Sequence, residues 1–209
     1  IAIGASLVGY KSVMVHQRLD FFLLAMDQLV NAAAKWHYMF GGQSSVPIVI
    51  RLIIGRGWGQ GPTHSQSLQS WFAHIPGLKV VMPSSPKEAK GLLISSIYDE
   101  NPVLFLEHRW LHNQEEVVPE GDFRIPLGTA NLIKQGFDIT IVGMSYMNTE
   151  AIRCLEYLKL QGQKKAQEIT INFFLEEICK NPIISLDEAI LRFENAYDTY
   201  NNLNDFAIS

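Results

Sequence analysis

The sequence has few cysteines, no long apolar run and no cluster of basic residues. Two cysteines in 209 residues, Cys154 and Cys179, exclude a disulfide-rich scaffold and predict buried thiols in a reducing compartment. No apolar run reaches the roughly 18 residues of a membrane-spanning helix, so no membrane contact is expected. Without a Lys/Arg-rich run, nucleic-acid binding is unsupported. We therefore expect a cytoplasmic protein.

The N-terminus lacks the features of a natural start. The sequence begins IAIGASLVGY, with no initiator Met, no basic segment and no signal-like apolar segment. From this pattern we expect an N-terminal portion to be absent.

Charge is unevenly distributed along the chain. The net charge is −4, from 17 basic and 21 acidic residues. Residues 1–162 carry 13 side chains of each sign, whereas residues 163–209 carry 4 basic and 8 acidic ones. The acidic excess therefore lies at the C-terminal end, which predicts a compositional boundary near Gly162. With 47% hydrophobic residues the chain can bury a substantial core.

Buried, β-branched segments alternate with helix-forming segments at short spacing, which is typical of parallel βαβ units. The predicted class is therefore α/β, with a parallel sheet covered by helices. We expect strands at 46–54, 78–82, 103–107 and 138–145, with a further candidate at 128–134, and helices at 21–40, 67–75, 86–100 and 148–162.

The last segment, residues 163–209, breaks this alternation. It reads as an acidic tail of two helices, the second opened by a capping box of Ser185 and Glu188. The chain thus divides at the sequence level into residues 1–107, a connection at 108–137, a short α/β segment at 138–162, and the tail.

Three ordered motifs carry a family resemblance. They are DFFLLAMDQLVNAAAKWHYMFGGQSSVPIVIR, THSQSLQSWFAHIPGLKVVMPSSPKEAKGLL and DENPVLFLEHRWL. Together they resemble the beta subunits of thiamine-diphosphate-dependent 2-oxoacid dehydrogenases of the pyruvate, branched-chain and acetoin types, within the transketolase-like superfamily. The resemblance covers about residues 1–162. It implies a pyrimidine-binding domain at 1–107 and the start of a C-terminal domain at 138–162, with truncation at both ends.

The resemblance implies two site residues. Phe21 matches the aromatic residue that packs against the aminopyrimidine ring of thiamine diphosphate, and a core Phe at a helix start is the plain alternative. His64 matches the histidine of the family's HSQ motif, which assists acyl transfer to a lipoyl group. Its plain alternative is a loop histidine that caps the next helix. His74 is expected to be structural.

The resemblance also implies metal ions. The family holds a structural potassium ion largely through main-chain carbonyls, and Ile48, Asp99 and Asn101 fall on its ligand positions; a helix stop is the plain alternative. The diphosphate and Mg²⁺ ligands of the family come from the alpha subunit. The glycine-rich loop, residues 55–65, does not have the spacing of a nucleotide-binding motif and is expected to be an active-site loop.

The implied function is that of a beta subunit, or a fragment of one. The family decarboxylates a 2-oxo acid oxidatively and transfers the acyl group to lipoamide, with an alpha subunit, a second beta subunit and the lipoyl domain of an acyltransferase core as partners. The family's essential glutamate falls upstream of Ile1, so the chain alone is expected to be inactive. The alternatives are an inactive relative that acts as an interaction protein and, less favoured, a transketolase or deoxyxylulose-phosphate synthase.

Overall fold

The structure is a computed structural model that describes residues 1–136, 139–160 and 169–172. The chain divides into two compact units, residues 1–179 and residues 180–209. All described residues lie in the first unit, so the capping box predicted for the tail falls outside them.

A four-stranded parallel sheet forms the centre of this unit. Its strands are β1 (Ser12–His16), β2 (Ile48–Ile54), β3 (Lys79–Val81) and β4 (Val103–His108), in the spatial order β1-β2-β4-β3. The register places Met14 beside Ile50 and Ile50 beside Leu104. Since all four strands run in one direction, their carboxyl ends lie along one edge, called here the carboxyl edge; the opposite one is the amino edge.

Helices connect these strands, and a second sheet follows them. The helical segments are α1 (Ala2–Leu7), α2 (Leu19–Phe22), a 3₁₀ turn (Leu23–Ala25), a π-helix (Gln28–Ala33), α3 (Trp36–Met39), a 3₁₀ turn (Pro62–His64), α4 (Gln69–Ala73), α5 (Pro86–Tyr98), a 3₁₀ turn (Arg109–Leu111) and α6 (Tyr146–Leu160). The second sheet pairs β5 (Ile139–Val142) with β6 (Ile169–Asn172), again in parallel.

Apolar side chains pack on both faces of the main sheet. One face is covered by the segment that runs from α2 to the π-helix and by α4. Their buried side chains, Leu19, Phe22, Leu29 and Phe72, pack against Leu52 and Leu104 of the strands. On the other face Leu92, Leu93 and Ile97 of α5 cover Val49, Val81, Val103 and Phe105. The prediction of a parallel sheet covered by helices is therefore confirmed.

The strands predicted at 46–54, 78–82, 103–107 and 138–145 correspond to β2, β3, β4 and β5. Their β-branched runs are buried because helices cover both faces. The sequence analysis missed α1 and β1. In β1 exposed and half-buried residues alternate, so this edge strand lacks the continuous apolar run that marks the central strands.

The helix predicted at 21–40 lies in the right place but is not one regular helix. It divides into α2, a 3₁₀ turn, a π-helix and α3, and Gly41 and Gly42 end it with φ angles of 60° and 78°. The predicted polar face is exposed, and on it Asn31 donates a hydrogen bond to Asp27 at 2.8 Å. The expectation that its other residues are buried was wrong for Leu24, which is 91% exposed.

Two further predictions were wrong. Residues 128–134 form no strand: Gly128 adopts a φ of 76°, and Thr129 turns back to donate a hydrogen bond to the carbonyl of Pro126. The tail was predicted to be entirely helical, but Ile169–Asn172 form β6, because the β-branched run Ile169–Thr170–Ile171 pairs with β5. The rest of the tail lies outside the described residues.

None of the helices in the described part of the chain is both long and apolar enough to cross a bilayer.

Candidate functional site

The carboxyl edge brings together the chain segments that follow β1, β2 and β4. After β1 the chain enters α2, which carries Phe21; after β2 it enters the glycine-rich loop, which leads to His64; and β4 ends at His108. In open parallel sheets this edge is where ligands bind, because the connecting loops leave a crevice there. The two predicted site residues therefore come from different loops of the same edge.

Phe21 and His64 are in direct contact. Their ring centroids lie 5.0 Å apart and their planes meet at 84°, an edge-to-face pair. Phe21 is 47% exposed, although it is a large apolar side chain next to the fully buried Phe22. The Oγ1 atom of Thr63 lies 3.0 Å from Nδ1 of His64, which orients the imidazole. The structure thus places an exposed aromatic face beside a histidine.

Asp20, directly before Phe21, is a candidate site residue that the sequence analysis missed. Its Oδ1 accepts hydrogen bonds from the backbone N–H of Gln66 at 3.3 Å and from the Gln66 side chain at 2.9 Å. Its Oδ2 is buried and has no hydrogen-bond partner in the part of the chain that the structure describes. A buried acceptor without a donor is costly, so this atom is suited to a ligand that brings an N–H group. An aspartate in the first turn of a helix gives no distinctive signal in sequence.

An aromatic ring bearing an amino group fits these side chains. Phe21 offers a flat apolar face, and Asp20, the residue before it, carries the unsatisfied acceptor Oδ2. The residues present therefore match the chemistry of an aminopyrimidine, the part of thiamine diphosphate that the family resemblance assigns to Phe21.

Arg18 is a second residue that the sequence analysis missed. It is the N-cap of α2, only 5% exposed, and its guanidinium donates to the carbonyl of Gly55 at 3.5 Å and to Oε1 of Gln60. Both acceptors are neutral. Among the described residues no carboxylate forms an ion pair with Arg18. Sequence patterns predict charged residues at the surface, which is why Arg18 was not singled out.

The glycine-rich loop packs against the segment that follows β4. Gly55 and Gly57 have φ angles of 103° and 100°. A Cβ atom on Gly55 would come within 2.7 Å of Nε2 of His108, and one on Gly57 would overlap the indole of Trp110. Glycine is needed at both positions for conformation and for space. These contacts hold the loop over the carboxyl edge.

His108 joins the main sheet to α6 through an aromatic cluster. Its ring stacks on Tyr146 at 4.9 Å and meets Trp110 edge-on at 5.8 Å, while its Nδ1 accepts the backbone N–H of Trp110. Burial lowers the pKa of His108 to about 4, and the charge of His112 contributes. The neutral imidazole is therefore the form present near pH 7.

Charged groups surround His112 beside this cluster. Burial lowers its pKa; the charge of Glu107 opposes this, and the charges of Arg109, Arg51 and Arg18 reinforce it. Glu107 is already engaged in a two-point ion pair with Arg51, at 2.6 and 2.8 Å.

The residues predicted to hold potassium lie at the amino edge of the sheet, whereas Phe21 and His64 lie at the carboxyl edge. Ile48 begins β2, while Asp99 and Asn101 lie between α5 and β4. The Lys79 ammonium binds the Asp99 carboxylate at 2.5 Å, and the Lys11 ammonium donates to the Asp99 carbonyl at 3.4 Å.

Two ammonium groups therefore compete with a cation at Asp99. A potassium ion held by the Asp99 carbonyl requires Lys11 to move, so the present arrangement does not fit the ion. The ion stays a prediction. Within the described residues, no group of three or more His, Cys, Asp or Glu side chains could hold a metal ion.

Comparison with known proteins identifies the family. Residues 1–114 match the family model of the transketolase pyrimidine-binding domain. The chain therefore belongs to this family, as the sequence motifs predicted.

The relatives within this family are beta subunits. The chain is 44% identical over 161 residues to the beta subunit of acetoin:2,6-dichlorophenolindophenol oxidoreductase from Cupriavidus necator, covering 77% of this chain and 48% of that protein. It is 41% identical over 163 residues to the pyruvate dehydrogenase E1 component subunit beta of Rhizobium meliloti (78% and 35%). It is 47% identical over 143 residues to the mitochondrial 2-oxoisovalerate dehydrogenase subunit beta 2 of Arabidopsis thaliana (68% and 40%). The chain thus spans about half or less of each of these relatives.

A solved structure supports the fold. A chain described as a split gene transketolase, inactive beta4 tetramer, superposes with a TM-score of 0.63 and 19% sequence identity, covering 82% of this chain and 51% of that one. The α/β class predicted from the sequence is confirmed.

Proposed function

We propose that this chain forms the pyrimidine side of a thiamine diphosphate site in the beta subunit of a 2-oxoacid dehydrogenase. The observation that carries the proposal is the contact at the carboxyl edge between Phe21, which is half exposed, and His64. The unsatisfied Oδ2 of Asp20, the residue before Phe21, adds to it. The beta-subunit relatives support the same assignment.

Each of these side chains has a part in the proposed site. Phe21 packs against the aminopyrimidine ring, and Asp20 accepts a hydrogen bond from an N–H group of that ring. When bound, thiamine diphosphate supplies the carbanion chemistry that decarboxylation of a 2-oxo acid requires. The acyl acceptor is the oxidised lipoyl disulfide: one of its sulfurs takes the acyl group, and the other is released as a thiolate. His64 donates a proton to that thiolate at the site mouth.

The remaining components come from partners. We propose that an alpha subunit provides the diphosphate and Mg²⁺ ligands, that a second beta subunit completes the assembly, and that the acyl acceptor is the lipoyl domain of an acyltransferase core. We also propose that the protein is located in the cytoplasm, as the sequence predicts.

Decarboxylation by the subunit pair tests this function. The chain is combined with a matched alpha subunit, thiamine diphosphate and Mg²⁺, and CO₂ release is measured with pyruvate and with branched-chain 2-oxo acids. Release above the alpha-only control supports the proposal, and the ranking of substrates identifies the acid. A folded pair that binds no thiamine diphosphate and decarboxylates none of these acids supports the alternative, an inactive relative that acts as an interaction protein.

A histidine variant separates the two steps. His64→Gln should retain decarboxylation with an artificial electron acceptor but lose acyl transfer to a lipoyl domain by about 10²-fold or more, the usual effect of one acid–base group. The matched control is His74→Gln, because His74 is exposed beyond the end of α4. Equal effects of the two variants on lipoyl acylation would remove His64 from the proposed role.

A further inference from the structure

Arg18 is a buried cation that has no counter-ion among the described residues. The residue is 5% exposed, and its two hydrogen bonds go to neutral oxygens of Gly55 and Gln60. Burial of a guanidinium is costly unless an anion pairs with it. The described residues provide no such anion, so the fold maintains a positive charge at this point that its own contacts leave unbalanced.

The surroundings add to this positive charge. Arg18, Arg51 and Arg109 all act on His112, and Glu107 is the acidic group that opposes them. The Glu107 carboxylate already makes a two-point pair with Arg51, with both of its oxygens engaged. Around His112 one acidic group therefore stands against three arginines, while the Asp20 carboxylate, two residues from Arg18, is hydrogen-bonded through one oxygen to Gln66. An anion near these arginines meets a favourable field.

Arg18 also lies at the proposed active site. It precedes Phe21 by one turn of α2, and its guanidinium reaches Gly55 at the end of β2, where the glycine-rich loop begins. The Gln60 amide, an element of that loop, provides a neutral acceptor at the guanidinium. A carboxylate or phosphate oxygen is a stronger acceptor for arginine than an amide oxygen, so an anion can take the place of Gln60.

The anion is not the carboxylate that the reaction removes. Decarboxylation disperses the negative charge of that group, so an arginine bound to it would stabilise the substrate more than the transition state and slow the reaction. An arginine bound to a distant, unreacting group of the same substrate has no such penalty, because it stabilises the substrate and the transition state equally.

We propose that Arg18 binds a second anionic group of the substrate, a carboxylate or a phosphate that remains after decarboxylation. The inference rests on the proposed function for the reaction itself and adds the substrate class: a 2-oxo acid with two anionic groups. Both anionic groups share the chemistry that guanidinium recognises, and the choice of probes separates them.

A matched pair of 2-oxo acids tests the inference without turnover. 2-Oxoglutarate and 2-oxopentanoate have the same five-carbon chain, but only the first carries a distal carboxylate; 3-phosphohydroxypyruvate is the phosphate probe. Binding to the isolated chain is followed by tryptophan fluorescence, since Trp58 lies in the glycine-rich loop and Trp110 packs against it. We expect either dianion to bind at least about tenfold tighter than 2-oxopentanoate, the size of one charge-assisted hydrogen bond.

Variants assign the effect to Arg18. Arg18→Gln should abolish the preference for dianions, and Arg18→Lys should retain part of it, because lysine keeps the charge without the planar fork. Gln60→Ala removes the competing acceptor and should tighten dianion binding. The matched control is Arg124→Gln, a surface arginine paired with Asp122, which should change nothing.

The outcomes separate this inference from the proposed function. Equal binding of 2-oxoglutarate and 2-oxopentanoate, or a preference that survives in folded Arg18→Gln, overturns the inference even if the subunit pair decarboxylates pyruvate. If Arg18→Gln does not fold, the other two variants decide. A preference for dianions that is the same in Arg18→Lys, in Gln60→Ala and in the unmodified chain also overturns the inference. Failure to decarboxylate any 2-oxo acid with thiamine diphosphate, 2-oxoglutarate included, while dianion binding is intact instead rejects the proposed function.

Discussion

Substitution of Phe21 tests whether this side chain serves the site or the fold. Its neighbour in α2 is the matched control, because Phe22 is 1% exposed and packs against Phe72 with ring centroids 6.2 Å apart. Phe21 is 47% exposed and contacts His64. Two phenylalanines that are adjacent in sequence thus point into different environments, and the same change to alanine can be compared at both.

The expected losses of stability differ for a physical reason. Full burial of a phenylalanine contributes about 1.5–3 kcal/mol, so the half-buried Phe21 contributes about 1–1.5 kcal/mol. The edge-to-face contact with His64 adds about 0.5–1 kcal/mol. Phe21→Ala should therefore cost about 2 kcal/mol of unfolding free energy, whereas Phe22→Ala leaves a cavity and should cost about 3–5 kcal/mol.

The expected losses of binding run in the opposite order. If Phe21 packs against the pyrimidine, Phe21→Ala should weaken thiamine diphosphate binding to the subunit pair by about tenfold, because one aromatic contact of about 1.4 kcal/mol is removed. Phe22→Ala, where it folds, should bind the cofactor with little change.

Urea denaturation of the chain and calorimetric titration of the subunit pair measure the two quantities. A Phe21→Ala variant that is as unstable as Phe22→Ala would show that Phe21 is a core residue. A Phe21→Ala variant that binds thiamine diphosphate like the unmodified chain would refute the assigned role.

Three further perturbations follow from the structure. Gly77→Ala should destabilise the chain by more than about 2 kcal/mol, because Gly77 has a φ of 90° and an added Cβ would overlap the carbonyl oxygen of Ala34. Gly121→Ala, with a φ of 69° and open space around it, should cost only about 1 kcal/mol in urea denaturation. Burial lowers the pKa of His108 to about 4, so the unfolded chain binds a proton first and stability falls as the pH drops from about 6.5 towards 4. Solvent screening limits this loss to about 1–2 kcal/mol, and it should disappear in His108→Gln; an unchanged pH profile would contradict the assignment. Lys11→Met frees the main-chain acceptor that its ammonium occupies and should make the melting temperature rise in KCl relative to NaCl, whereas Lys35→Met should not.

The sequence predicts the central strands well and the irregular elements poorly. β2 and β4 are buried on both faces, so their β-branched runs identify them directly. β6 lies between helix-forming residues, and its strand conformation depends on pairing with β5, which is a tertiary contact. The π-helix at Gln28–Ala33 has no recognised sequence signal, so a single regular helix was the natural prediction there.

The candidate site divides in the same way. Phe21 and His64 were predicted from motifs, but their contact depends on the spatial order β1-β2-β4-β3, which places the loops after β1 and β2 side by side. Sequence order alone does not give that arrangement. Asp20 and Arg18 were missed because their significance lies in burial without a full set of partners, which only coordinates reveal.

The two edges of the sheet differ in how completely their polar groups are satisfied. At the amino edge Asp99 receives hydrogen bonds or charge from Lys79, Lys11 and Asn101, so its polar groups are matched within the chain. At the carboxyl edge the described residues provide no donor for the buried Oδ2 of Asp20 and no anion for the buried charge of Arg18. Folding alone gives no reason to retain either group, since an apolar residue at each position would avoid the desolvation cost. A ligand with an N–H donor for Asp20 and an anion for Arg18 removes both costs, and it is therefore at the carboxyl edge that we place the chemistry of this chain.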